Sequence, residues 1–240
     1  MTAAAVGKPT LHAPVKNADY AWESSHALAF SMQERLYVQY GCGWSAPRGW
    51  RNFDASPTLR FERLPILGRL YTKNTGRFPE NVEYGDVVSG LPVGNSACDG
   101  VYCSHVLEHL ALSDFRLALN NTHRILKPNA IFRLVLPDLL IYAQRYINSA
   151  APEASMLFLR ETCLGEETRP RSIKGLLTSW LGNSKHLWMW DFKSIVPELQ
   201  QAGFADIRRA RCGDSRDPMF AAVEREDRWE DCLGIECRKV

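Results

Sequence analysis

Residues 81–110 read NVEYGDVVSGLPVGNSACDGVYCSHVLEHL. Two short apolar runs, VEYGD (82–86) and CDGVYCSH (98–105), flank the turn-rich SGLPVGNSA. Runs of this length bounded by Gly, Pro, Asn and Ser read as strands. The first ends at Asp86 and the second at Ser104-His105. Downstream, LSDFRLALNNTHRILKP (112–128) sets Phe115, Leu119, Ile125 and Leu126 on one helical face, with Ser113 as a candidate N-cap and Pro128 as a stop. IFRLVLPD (131–138) is almost wholly apolar, as expected of a strand covered on both faces of a parallel sheet.

The same rhythm extends outward. RLYVQYG (35–41) alternates Leu36, Val38 and Tyr40 and stops at a glycine, and WRNFDAS (50–56) is a short strand ending at Asp54. FERLPILGRLY (61–71) is expected to be helical in part. DFKSIVPELQQAGF (191–204) reads as a helix with Asp191 near its start and Gly203 at its end, followed by strands ADIRRARCG (205–213) and LGIECRKV (233–240). Strands alternating with helices predict an α/β fold: a Rossmann-like, doubly wound, mostly parallel seven-stranded sheet with helices on both faces. Residues 1–25 read as an N-terminal arm and 26–240 as one domain. Residues 139–190 break the alternation, carry Tyr142, Tyr146, Trp180, Trp188 and Trp190, and read as a helical cap or lid insertion.

Bulk properties narrow the function. A net charge of +2 is too small to point to nucleic acid or an anionic membrane. No run of about 18 apolar residues exists, so no membrane span is expected. The N-terminus lacks the apolar core of a secretion signal, which predicts a cytoplasmic protein. The seven cysteines contain no Cys-x-x-Cys pair, so free thiols are expected rather than disulfides or a zinc site, and no metal is predicted.

The polar residues gather where ligands bind in wound sheets, outside the carboxyl ends of the strands. Gly41 and Gly43 follow the first strand, Asp54 ends the second, Asp86 the third, Ser104 and His105 the fourth, Pro137 and Asp138 the fifth. No Gly-x-Gly-x-x-Gly is present, and Asp54 follows Gly41 too closely for a dinucleotide fingerprint, which places the acid about 20 residues on. A dinucleotide-dependent enzyme is therefore disfavoured. A nucleoside ligand without phosphates is compatible: the glycines permit close backbone approach, Asp54 offers an acceptor for a ribose diol, and Asp86 one for an adenine amino group. S-adenosylmethionine has that chemistry.

YGCG, NFDAS, the 81–110 segment and RILKPNAIFRLVLPDL together resemble the successive motifs of class I S-adenosylmethionine-dependent methyltransferases of the type 11 group. HLWMWDFKSIVPELQQAGF (186–204) resembles that group's late segment. The resemblance implies a methyltransferase; it does not fix the acceptor, and with the balanced net charge a small-molecule or sugar-like acceptor is expected. It implies that Tyr40, Gly41, Cys42 and Gly43 lie along the methionine part of the cofactor. Asp54 would hold the ribose with Ala55 and Ser56 beside it, Asp86 and Val87 the adenine, and Ser104 and His105 the sulfonium. The chain departs from the pattern in its missing third glycine and in the nine residues between its first two strands, too few for a full helical crossover. That departure keeps open a binding or regulatory protein that transfers no methyl group.

An acceptor hydroxyl benefits from a general base. The candidates are His105, at a strand end and titrating near neutrality, then His186 after the insertion, then Asp138, which could instead cap the next helix. Glu108 and His109 read as structural residues in the first turn of a helix, Glu108 favouring its dipole. His123, the Trp188/Trp190 pair and Arg208, Arg209 and Arg211 read as packing or solvated residues.

Overall fold

The computed structural model describes residues 35–65, 76–168 and 185–240. The expected arm at 1–25, residues 66–71 of the expected helix, and Pro170 and Trp180 of the insertion lie outside them. The strands are β1 (Tyr37–Tyr40), β2 (Trp50–Asp54), β3 (Val82–Tyr84), β4 (Cys98–Ser104), β5 (Leu126–Pro137), β6 (Phe204–Ala210) and β7 (Cys232–Lys239). They form one sheet in the order β3-β2-β1-β4-β5-β7-β6. Strands β1 to β5 run parallel, and β7 pairs antiparallel with both β5 and β6. The fold is thus the Rossmann-like, mostly parallel seven-stranded sheet the sequence predicts, and its strand order reverses beside β1 and β4.

The helices are α1 (Pro57–Glu62), α2 (Leu112–Ile125), α3 (Leu139–Asn148), α4 (Ala154–Glu161) and α5 (Phe192–Gln201). Alternation along the strands divides the core, because successive side chains point to opposite faces. Val38, Tyr40, Phe53, Val101, Cys103, Phe132, Leu134 and Leu136 face one way, against Phe115 and Leu119 of α2 and Ile195 and Leu199 of α5. Tyr37, Trp50, Tyr102, Ile131 and Val135 face the other way, beneath Phe220 and Val223. Phe220 lies in a 3-10 turn, 218–222. None of the helices described among the residues is long and apolar enough to cross a membrane.

Several local expectations change. Nine residues, 41–49, join β1 to β2 with no helix between them, as the short spacing implies. Helix α1 begins at Pro57, whose fixed φ and missing N–H suit a first helical position, and Ser56 caps it by accepting from Thr58 N. Ser113 is not the cap of α2; Ala111 is, with no side-chain bond. Glu108 and His109 are not in that helix: they form a separate 3-10 turn, 107–109, so the dipole reading of Glu108 fails. Asp191 does cap α5, in a reciprocal capping box with Ser194.

The second face carries a buried charge cluster. The Arg133 side chain is fully buried and pairs with Glu224, with Asp214 at 3.0 Å and with Glu236 at 3.1 Å. Its guanidinium lies 4.9 Å from the Trp229 ring. Arg208 pairs with Asp214 and Glu236, and Arg209 with Asp138. Arg208 and Arg209 lie on the edge strand β6, as expected, and Arg209 stays exposed, but both also hold carboxylate partners. Burial alone would raise the Asp214 carboxyl, but hydrogen bonds from Arg208, the Arg211 backbone and Arg133 outweigh it and hold Asp214 at about 2. All seven cysteines are free thiols.

Candidate active site at the carboxyl ends of the strands

The turn after β1 is held open by two glycines in left-handed conformation, Gly41 at φ +66 and Gly43 at φ +54. Asp54, at the tip of β2, ties this turn to its own strand. Its Oδ2 accepts from Gly43 N at 2.9 Å and its Oδ1 from Ser56 N at 2.7 Å. Each carboxylate oxygen keeps a second lone pair for a ligand hydroxyl. Asp86 is organised the same way, accepting from Val88 N at 2.9 Å and from Ser89 Oγ at 2.8 Å.

These tips surround a cavity of about 510 Å³, lined by Tyr40, Gly41, Asp54, Ala55, Ser56, Pro57, Gly85, Asp86, Val87, His105, Val106, His109 and Leu110. That volume lies within the range of small-molecule and cofactor sites. Asp54 and Asp86 thus share one hollow, with apolar Val87, Val106 and Leu110 between polar ends. An adenosyl group fits this set of groups: two separated carboxylates and apolar walls, with no lysine or arginine among the described residues that line it. Tyr40 contributes through its backbone, because its ring lies in the core and its hydroxyl meets Thr122 at 3.2 Å.

Cys42, Gly43 and Ser104 line a second cavity, of about 340 Å³, which shares Tyr40 and Gly41 with the first. Trp44, Tyr102, Arg225 and Arg228 also border it. The Cys42 thiol is inert by environment: burial, then the Asp54 charge, push it up to about 12.

His105 follows β4 at φ +55, and its backbone N–H donates to Val135 O at 2.9 Å. Its Nε2 donates to the Arg228 carbonyl at 3.0 Å, and its Nδ1 stands 3.3 Å from Glu108 Oε1. Burial lowers its affinity for a proton, but contacts with Cys232, Glu108 and the Arg228 carbonyl outweigh burial and push the ring up to about 10. Both ring nitrogens of His105 thus face protein acceptors, Arg228 O and Glu108, while the residue lines the cavity. Asp138 lines neither cavity. It is buried, caps α3 by accepting from Leu140 N, and meets Arg209 at 3.1 Å, so its capping role is the one observed. His186 also lines neither cavity, but its ring lies 5.0 Å from that of His109.

Sequence reasoning missed the centre of this corner. Glu108 is fully buried among His105, His109 and His186. The spacing His105-x-x-Glu108-His109 was a signal: one tight turn brings all three together. His186 joins only through the fold. Trp188 and Trp190 divide, Trp190 stacking on Phe115 at 4.4 Å while Trp188 stays exposed.

Residues 69–134, a little over a quarter of the chain, match the sequence profile of a methyltransferase domain. No curated protein matches the chain. Among solved structures, an S-adenosylmethionine-dependent methyltransferase from Mesorhizobium loti is 19% identical, covering 93% of this chain and 99% of its own, at a TM-score of 0.45. A Haloferax volcanii protein solved with the Trm112 methyltransferase activator is 17% identical over 92% and 90%, at 0.45. An Archaeoglobus fulgidus methyltransferase is 13% identical over 92% and 93%, at 0.42. At these scores the fold assignment rests on the strand order itself.

Proposed function

We propose that this chain, which carries a class I methyltransferase domain with S-adenosylmethionine as its cofactor, transfers a methyl group to a small-molecule acceptor rich in hydroxyl or anionic groups. The observation that carries this reading is the meeting of Asp54 and Asp86 in one cavity beside the Gly41 turn. The cofactor supplies a methyl group on a sulfonium, which is electrophilic without a metal or a redox step.

The protein's own part is to bind and orient. Asp54 receives the ribose hydroxyls and, by holding Gly43 N, keeps the glycine turn in the shape that admits them. Asp86 receives the adenine amino group, and Val87 packs against the base. Gly41 brings bare backbone to the methionine part, with Cys42, Gly43 and Ser104 continuing along the second cavity. That second cavity suits the acceptor: Tyr102 and Ser104 offer hydroxyls, and Arg225 and Arg228 favour an acceptor bearing oxygen or negative charge. Alignment of donor and acceptor across the shared Gly41 wall supplies much of the rate gain, by converting a two-body encounter into a reaction within one complex. His105, pinned between Arg228 O and Glu108, acts as a positioning residue on the cavity wall.

The test is transfer of labelled methyl from S-adenosylmethionine into pools of hydroxylated and anionic small molecules, polysaccharide, protein and RNA. Label in a small-molecule fraction is expected, and Arg228→Ala should lower transfer to it at least about tenfold, the loss of one charge-assisted contact. Label in protein or RNA alone contradicts the acceptor class. Cofactor binding with no transfer to any pool turns the reading to a regulatory binding protein.

A further inference from the structure

We propose that Glu108, His109 and His186 form a binding site for one divalent transition-metal ion of the zinc type at the edge of the cavity. Their donor atoms lie within 4.8 Å of one another. No cysteine takes part, so the site is invisible to a search for paired thiols.

The state of Glu108 is the first argument. Its side chain is fully buried, and neither carboxylate oxygen has an aligned hydrogen-bond partner. His105 Nδ1 at 3.3 Å and His109 Nε2 at 3.9 Å make only charge contacts with it. Both contacts fall on Oε1, so Oε2 is left buried with neither a hydrogen bond nor a charge contact among the described residues, a costly state that a coordinated ion would relieve. His186 Nδ1 is a second unpartnered atom, also buried, in the same cluster.

The tautomers are the second argument. A carbonyl can only accept, so His109 Nδ1 carries the proton it gives to Lys185 O at 2.9 Å. In the neutral ring this leaves a lone pair on Nε2, on the side of Glu108. The His186 Nδ1 is likewise left without a partner. Metal-binding histidines show this arrangement: one nitrogen held by a backbone carbonyl, the other turned to the ion.

The framework is the third. Leu187 N and Trp188 N both donate to Glu108 O, at 2.7 and 3.1 Å, and His186 N to Cys163 O at 3.4 Å. These bonds fix the 185–190 segment onto the 3-10 turn without using any side chain of the cluster. Two donors about 2.1 Å from one ion can lie at most about 4.2 Å apart. The 3.9 Å pair lies inside that in-line limit, and a tetrahedral ion, with donors about 3.4 Å apart, would draw all three side chains inward. Two imidazoles and one carboxylate favour zinc and its neighbours over magnesium or calcium, which take oxygen ligands. Three protein ligands leave a coordination position for water or an oxygen of a bound molecule. His109 lines the cavity, so that position adjoins it. Neither Asp54 nor Asp86 takes part, so the proposal stands apart from the cofactor reading.

The full chain, dialysed against a chelator, is titrated calorimetrically with zinc chloride and with magnesium chloride, beside Glu108→Gln and His186→Ala. One equivalent of zinc is expected, with no heat from magnesium. Each variant should lower zinc affinity at least about tenfold, a typical cost even for disturbing a metal site's outer partners. Circular-dichroism spectra and melts show that the variants are folded. No saturable zinc binding, or zinc binding unchanged in both folded variants, overturns the proposal. Zinc binding by a wild-type chain that takes up no S-adenosylhomocysteine counts against the cofactor reading instead.

Discussion

Gly41→Ala is expected to weaken S-adenosylhomocysteine binding at least about tenfold, or about 1.4 kcal/mol, and to lower the melting temperature. A Cβ at residue 41 would lie 2.0 Å from Val106 Cγ2, far inside contact distance. Val106 could yield only by leaving its χ1 well, and β-branched side chains are stiff there. The φ of +66 adds left-handed strain of about 1–2 kcal/mol for any residue with a Cβ. Gly43→Ala is the internal control. It shares the positive φ, but its Cβ meets nothing within 4 Å, so it carries the strain without the collision. Melting temperatures should fall clearly further for Gly41→Ala than for Gly43→Ala. Equal losses would mean that Val106 does not wall the turn.

Arg133→Met is expected to lower the unfolding free energy by about 3–5 kcal/mol, the usual cost of removing one partner from a buried ion pair. The arginine side chain is fully buried and meets Glu224 and Glu236, which are almost as buried. Methionine keeps much of the volume but leaves Glu224 with no cation in its pair. Arg208 continues to serve Asp214 and Glu236, so Glu224 carries most of the loss. The double variant Arg133→Met, Glu224→Leu should therefore recover a large part of it. Denaturant titrations of the three proteins measure this. A loss below about 1 kcal/mol for the single variant, as for an exposed pair, would show that water reaches Glu224.

The sheet was legible because each parallel strand is a short apolar run punctuated by turn residues, and ligand-binding groups at such tips stand next to the punctuation. Asp54, Asp86, Gly41 and His105 were found that way, and the structure gathers all four around one cavity. What escaped depends on contacts that spacing does not encode. Ser113 looked like a cap, but α2 begins at Leu112, two residues before a helix capped by Ser113 would start. Glu108 looked like a dipole partner because the 3-10 turn at 107–109 and the helix behind it read as one segment. His105 carried a neutral reference acidity in the sequence; only the fold supplies Glu108, Cys232 and the Arg228 carbonyl around it. Arg133 sat unremarked within an apolar strand, since its carboxylates come from remote segments. His186 reaches Glu108 through backbone bonds from Leu187 and Trp188 that no local pattern announces.

The central claim is that the tips of β2 and β3 aim two carboxylates at one phosphate-free adenosyl group. Calorimetric titration with S-adenosylhomocysteine, beside NAD, tests it on the wild-type chain and on Asp54→Ala and Asp86→Ala. The account predicts one site that takes the homocysteine derivative and not NAD. It predicts at least about tenfold weaker binding in Asp54→Ala, which loses both the ribose acceptor and the tie to Gly43 N, and a smaller loss in Asp86→Ala. Tight binding that neither substitution disturbs, or binding of NAD in its place, would contradict it.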